Sequence, residues 1–167
     1  RVRPPGAAAA YSNYGTALAG YIVERASGLP YASYIERRIL QPLGMRTTSI
    51  AMAAPADMAA VASRGYIYAN GRFVPTEPTL FQVGPAGSIS ATATDMAQFL
   101  LAHLGQASSG EQMMSDALLA QMHTTVYRAD PSLNGMALGF FDLSRHGEHI
   151  VGHVGAALPS FHSLAVL

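Results

Sequence analysis

The chain has no cysteine, no tryptophan and no lysine, so all ten of its basic residues are arginine. Without cysteine there is no disulfide framework, no thiolate metal site and no cysteine nucleophile. Without lysine, these residues offer no amine general base, no Schiff-base former and no phosphate-loop lysine. Charge of either sign is scarce. Charged residues make up 12% of the chain, about half the usual share, and ten arginines balance ten acidic residues. A net charge of zero removes the electrostatic ground for a nucleic-acid or anionic-membrane partner. Long apolar runs are missing too: stretches such as 7–10 and 99–102 fall far short of the roughly 20 residues that span a bilayer. No targeting segment is legible.

Half of the 167 residues are nevertheless hydrophobic, enough to bury the core of one domain. Ser12 or Asn13 can cap a helix running to about Ser27, with Leu18, Ile22 and Ala26 on one face and Gly28 as its stop. Ala17, Ala19 and Gly20 predict close packing of that helix against a neighbour. Pro30 opens a second helix to about Leu40, closed by Pro42 and Gly44. Residues 51–62 read as loop or short helix, and 75–87 as a long ordered loop. Asn70-Gly71 between aromatic and β-branched residues predicts a hairpin. A third helix follows a Thr92 or Thr94 cap, and a fourth is predicted over 110–122, where Met114, Leu118 and Met122 fall four apart. Residues 137–143 and 149–152 flank a polar turn, and 161–167 read as one more antiparallel strand. Helices followed by hairpins predict an α+β fold with an antiparallel sheet. The opening RVRPPG and a last strand that has only just begun read as a piece of something longer, with a strand edge at 161–167 open to self-association.

Several residues could carry chemistry. Tyr11 and Asn13 sit at the first helix start, where Asn13 can serve as a cap and Tyr11 as a hydrophobic staple, or Tyr11 as a proton-transfer group. His146, Glu148, His149 and His153 cluster in sequence, but their spacing matches no zinc motif and a solvated turn explains the first three. His103 and His123 read as helix-terminal residues placed favourably for the helix dipole. In Gly152-His153-Val154-Gly155-Ala156 the glycines let a ligand approach the backbone, whose N–H groups could serve as oxyanion donors; a tight bulge accounts for the same pattern. Gly-x-Ser-x-Gly, phosphate-loop and dinucleotide motifs do not occur.

Taken in order, three segments resemble the serine β-lactamase-like and penicillin-binding protein family, which includes class C β-lactamases, DD-carboxypeptidases and esterases. They are 4–45 (PPG…YSNYGTALAGYIVERASGLPYASYIERRILQPLGM), the stretch VGPAGSISATATDMAQFLLAHL from Val83, and GHVGAALPSF from Gly152. The resemblance implies one partial catalytic domain over 1–167, a β-lactamase/transpeptidase-like fold lacking its N-terminal Ser-x-x-Lys region and its C-terminal elements. Tyr11 and Asn13 match the Tyr-x-Asn motif, the tyrosine as general acid/base and the asparagine as the residue orienting the substrate or the catalytic lysine. His153 and Gly155 match the third motif, and Ala156 the strand position whose N–H forms half of the oxyanion hole. The resemblance implies acyl transfer on a small ester or amide without a cofactor, Tyr11 and His153 sharing one cleft, and a periplasmic or secreted location. A class C-type β-lactamase and a non-catalytic penicillin-binding-like protein are the alternatives. His153 where class C enzymes carry lysine favours an esterase or peptidase-like activity. Val154 and Ser160 replace glycines common in relatives, and are expected to narrow the cleft or change turn geometry.

Overall fold

The computed structural model describes residues 3, 4, 6–51, 55–77, 84–107, 110, 112–157 and 159–167, with the side chain of residue 57 excepted. Helix α1, Asn13–Ser27, begins at an extended Ser12 whose Oγ accepts the Gly15 N–H at 3.1 Å. It ends at Gly28 in the left-handed conformation (φ 69°), with the Gly28 N–H on the Glu24 carbonyl. Ser12, rather than Asn13, is therefore the cap. Gly20 is the one described residue of α1 that is buried, and the reason is steric. A Cβ there would sit 2.3 Å from Pro85 Cγ, in the short 3-10 turn Gly84–Ala86.

Helix α2, Tyr31–Ile35, is tied to α1 by Glu24, whose carboxylate accepts the Tyr31 N–H at 2.6 Å. The predicted helix continues to Leu40, but its last turn, Glu36–Leu40, is widened into a π-turn, with the Gln41 N–H on the Glu36 carbonyl. Pro42 has no N–H and its ring crowds the carbonyl four residues back, which opens the preceding turn. The chain then packs Leu40, Leu43 and Met45 against Ala102 of α4, Ala93–His103, to make one apolar core. Thr92 caps α4. Its Asp95 is buried and accepts from the Thr47 N–H, the Thr47 hydroxyl and the Thr48 hydroxyl at 2.7–2.9 Å. Ser49 and Ser90 exchange backbone bonds of 2.8 Å beside it.

A short helix α3, Ala56–Ala59, precedes the hairpin of β1, Tyr66–Ala69, and β2, Arg72–Pro75. Its turn residues Asn70 and Gly71 both have positive φ, as a two-residue hairpin turn of this twist requires. Part of the predicted 75–87 loop lies outside the described residues. Helix α5 is Asp116–His123, shorter than the predicted 110–122. Ser115 stops it from starting earlier, because the Ser115 hydroxyl caps the Leu118 N–H. Met114 therefore precedes the helix and Leu118 is exposed, leaving Met122 from that stripe to reach the second core.

The main sheet is antiparallel with strand order β3-β4-β5-β6: Gly135–Met136, Phe141–Asp142, Val151–Ala157 and Phe161–Val166. Ala137, Phe140 and Val151 form the second core, with Met122 and Leu167 against it. Between the two cores, His103 and His123, the last residues of α4 and α5, face each other with Nδ1 and Nε2 3.1 Å apart. The Phe99 and Phe140 rings lie edge-on to His103. Among the described residues, no helix is long and apolar enough to cross a membrane.

Candidate active site

Tyr11 stands just outside the Ser12 cap, so the start of α1 fixes where its backbone leaves the helix. Its ring meets the imidazole of His153, with centroids 5.9 Å apart. His153 is the third residue of β5, inside the strand rather than at its end. The ring of Phe141 lies 5.0 Å from that of His153. The His153 Nδ1 is 2.6 Å from the carbonyl oxygen of Val154. A carbonyl can only accept, so Nδ1–H is the donor of this bond.

The strand ladder sets the remaining backbone groups. Val151 and Leu167 exchange N–H···O bonds of 3.2 and 2.8 Å. By antiparallel alternation, His153, Gly155 and Ala157 then turn their backbone groups toward β6, while Val154 and Ala156 turn theirs away from it. Strand β4 pairs with β5 only at Val151 and Gly152, so the Ala156 N–H lies on an edge of β5 beyond the end of β4. Gly155 is opposite Ser163, and a Cβ on Gly155 would sit 2.5 Å from the Ser163 hydroxyl. Asn13, in the first turn of α1, is exposed two residues from Tyr11. Val154 alternates to the face opposite His153 and is exposed, so its side chain does not crowd the His153 side.

Strand β4 is held firmly beside this edge. Asp142, next to Phe141, is buried and receives the Ser144 N–H at 2.8 Å, the Thr125 hydroxyl and the Arg128 guanidinium. The hydrogen bonds from Ser144 and Thr125, against the opposing effect of burial, hold its carboxyl well below the usual range. Sequence reading missed Phe141; its one signal was the Phe140-Phe141 pair in a predicted strand. His146 and Gly147, both with positive φ, form a two-residue turn, and Glu148 pairs with Arg145 across it. His149 bonds Ser144 instead. Among the described residues no group of three or more metal-ligating side chains converges.

The Beta-lactamase family matches this chain over residues 1–167, and the chain belongs to that family. The octameric penicillin-binding protein homologue from Pyrococcus abyssi superposes with a TM-score of 0.82 at 26% identity, over 99% of this chain and 37% of that one. A class C β-lactamase gives 0.77 at 22%, over 99% of this chain and 52% of its own. A D-stereospecific amidohydrolase from Streptomyces sp. gives 0.70 at 27%, over 92% and 45%. The Beta-lactamase-like protein 2 of Dictyostelium discoideum is 32% identical over 99 residues, 58% of this chain and 17% of that protein. The fold is thus the α+β arrangement of β-lactamases and penicillin-binding proteins, and the chain spans about half or less of these relatives' length.

Proposed function

We propose that the protein is a serine hydrolase that cleaves a small ester or amide through an acyl-enzyme. The observation that carries this reading is the meeting of Tyr11 and His153, from the start of a helix and the middle of a distant strand, across 5.9 Å. In this reading Tyr11 shuttles the proton of the nucleophilic serine, and Asn13 orients the substrate. The Nε2 of His153 is the nitrogen available to substrate, and the Ala156 N–H, on an edge with no strand partner among the described residues, holds the developing oxyanion. Gly155 keeps the strand surface low enough for the acyl group to approach. The reaction needs a Ser-x-x-Lys element outside these 167 residues, which contain no lysine.

An esterase or peptidase-like activity fits better than a class C-type β-lactamase. Imidazole offers a substrate carboxylate a positive charge only when protonated, whereas an ammonium does so at any physiological pH. The test compares short p-nitrophenyl esters with a chromogenic cephalosporin on the full-length protein, alongside fluorophosphonate labelling. Ester turnover with stoichiometric serine labelling is expected. A kcat/KM for the cephalosporin above that for every ester would reverse the assignment, and absence of both turnover and label would favour a non-catalytic binding protein.

A further inference from the structure

Three residues far apart in the chain form a small knot beside the end of β5. The hydroxyls of Thr76 and Ser160 lie 2.8 Å apart, half-buried. Thr76 also closes the base of the β1–β2 hairpin, donating its N–H to the Gly65 carbonyl at 2.9 Å. Gly65 is buried beneath the pair: a Cβ there would sit 2.3 Å from the Ser160 hydroxyl and 2.7 Å from that of Thr76. The Ser160 N–H returns to the carbonyl of Ala157 at 3.2 Å, one residue from Ala156. From His153 onward β5 has a described strand partner on one side only, β6. The hairpin is therefore joined to the strand end through Thr76, Ser160 and Ala157.

We propose that the Thr76–Ser160 hydroxyl pair is a positioning latch, which holds the 154–157 edge of β5 so that the Ala156 N–H is set for the oxyanion. This rests on the hydrolase reading above. A donor must be in place before charge develops, and a strand tethered on one side holds its edge amides less firmly than one tethered on two. Neither residue touches the reacting atoms. Both act through the Ala157 carbonyl and the peptide that precedes it.

The test uses the full-length protein and the variants Ser160→Ala and Thr76→Val, with Ser160→Thr and Thr76→Ser as the conservative pair. Either hydroxyl deletion is expected to lower kcat about fivefold, the worth of one net hydrogen bond, with KM changing less than about twofold. Hydrogen exchange at the Gly155 and Ala157 amides should quicken about threefold or more, in step with a net bond of that size. The conservative variants should restore both. An active wild type whose kcat and exchange are unmoved by the deletions overturns the latch alone. So does a loss in which KM rises and kcat stays, or one the conservative variants fail to rescue. A wild type with neither turnover nor fluorophosphonate label overturns the hydrolase reading, and the latch with it.

Discussion

Acidification is expected to loosen the junction of α4, α5 and the sheet, through the histidines that pair there. His103 is 3% exposed, and its imidazole touches His123, Phe99 and Phe140. Burial, and then repulsion from His123, push its pKa down to about 4 from an ordinary 6.5. Burial lowers His123 as well, with a smaller push from His149. Both sit at helix C-termini, where the dipole favours a cation by up to ~2 kcal/mol at best, so desolvation outweighs the dipole here.

The sign follows from which state takes the proton first. The unfolded chain protonates His103 near pH 6.5 and the folded one only near 4, so its stabilisation is complete above the upper value and is lost as pH falls toward the lower. By pH 4.5 the loss amounts to about 2–3 kcal/mol for His103, a sizeable part of the 5–15 kcal/mol typical of a domain. Asp95 and Asp142, both held below their ordinary range, add their own losses at lower pH, so the histidine window is read above about pH 4.5. Urea unfolding of the full-length protein at pH 7.5, 5.5 and 4.5, wild type beside His103→Gln, isolates the effect. Glutamine can still hydrogen-bond His123 but does not titrate, so the variant should lose about 2–3 kcal/mol less between pH 7.5 and 4.5. Equal losses in the two proteins would refute the reasoning.

Gly20→Ala should destabilise the protein by about 1–3 kcal/mol in urea melts despite alanine's better helix propensity, because the Pro85 ring cannot yield as a flexible side chain would. A neutral or stabilising result would mean that the 84–86 turn moves freely off α1. Asp95→Asn should cost about 2 kcal/mol, since three donors converge on one carboxylate oxygen and lose their charged acceptor. Tyr11→Phe in the full-length protein should cut kcat by about 100-fold or more at unchanged melting temperature, as removal of a general acid/base does; a loss in melting temperature alone would make Tyr11 structural. The 167 residues expressed alone should neither hydrolyse esters nor take a fluorophosphonate label. They should also self-associate on light scattering, since α1 exposes Tyr14, Leu18, Tyr21 and Ile22 and the sheet exposes Val154 and Leu164.

What could be read without coordinates was what neighbours in sequence decide. The Gly28 stop, the Asn70-Gly71 turn and a cap at 12–13 and at 92 or 94 each depend on a few adjacent residues, and the structure selects Ser12 and Thr92. The small-residue face of α1 implied a close neighbour but could not say that it was Pro85. The later start of α5 has a local cause as well: the Ser115 hydroxyl on the Leu118 N–H overrides the period-four stripe through Met114. By contrast, His103 and His123 look like two ordinary helix ends until the helices pack, and nothing in their own surroundings announces a hydrogen bond between them.

The candidate site divides along the same line. Around Tyr11, local spacing gives a proton-transfer group only weak support beside a staple, because its partner lies on a strand that spacing cannot place. Only the order of three segments along the chain put Tyr11, Asn13, His153, Gly155 and Ala156 into one hypothesis, and that order carries the topology that single motifs lack. Its departures are informative for the same reason. Ser160 stood out because it replaces a glycine, yet what it does depends on Thr76 and Gly65, which no motif contains. A substitution inside a recognised segment shows where a chain has changed. The contact it makes, here with the base of a hairpin far away in sequence, is what gives the change a physical consequence.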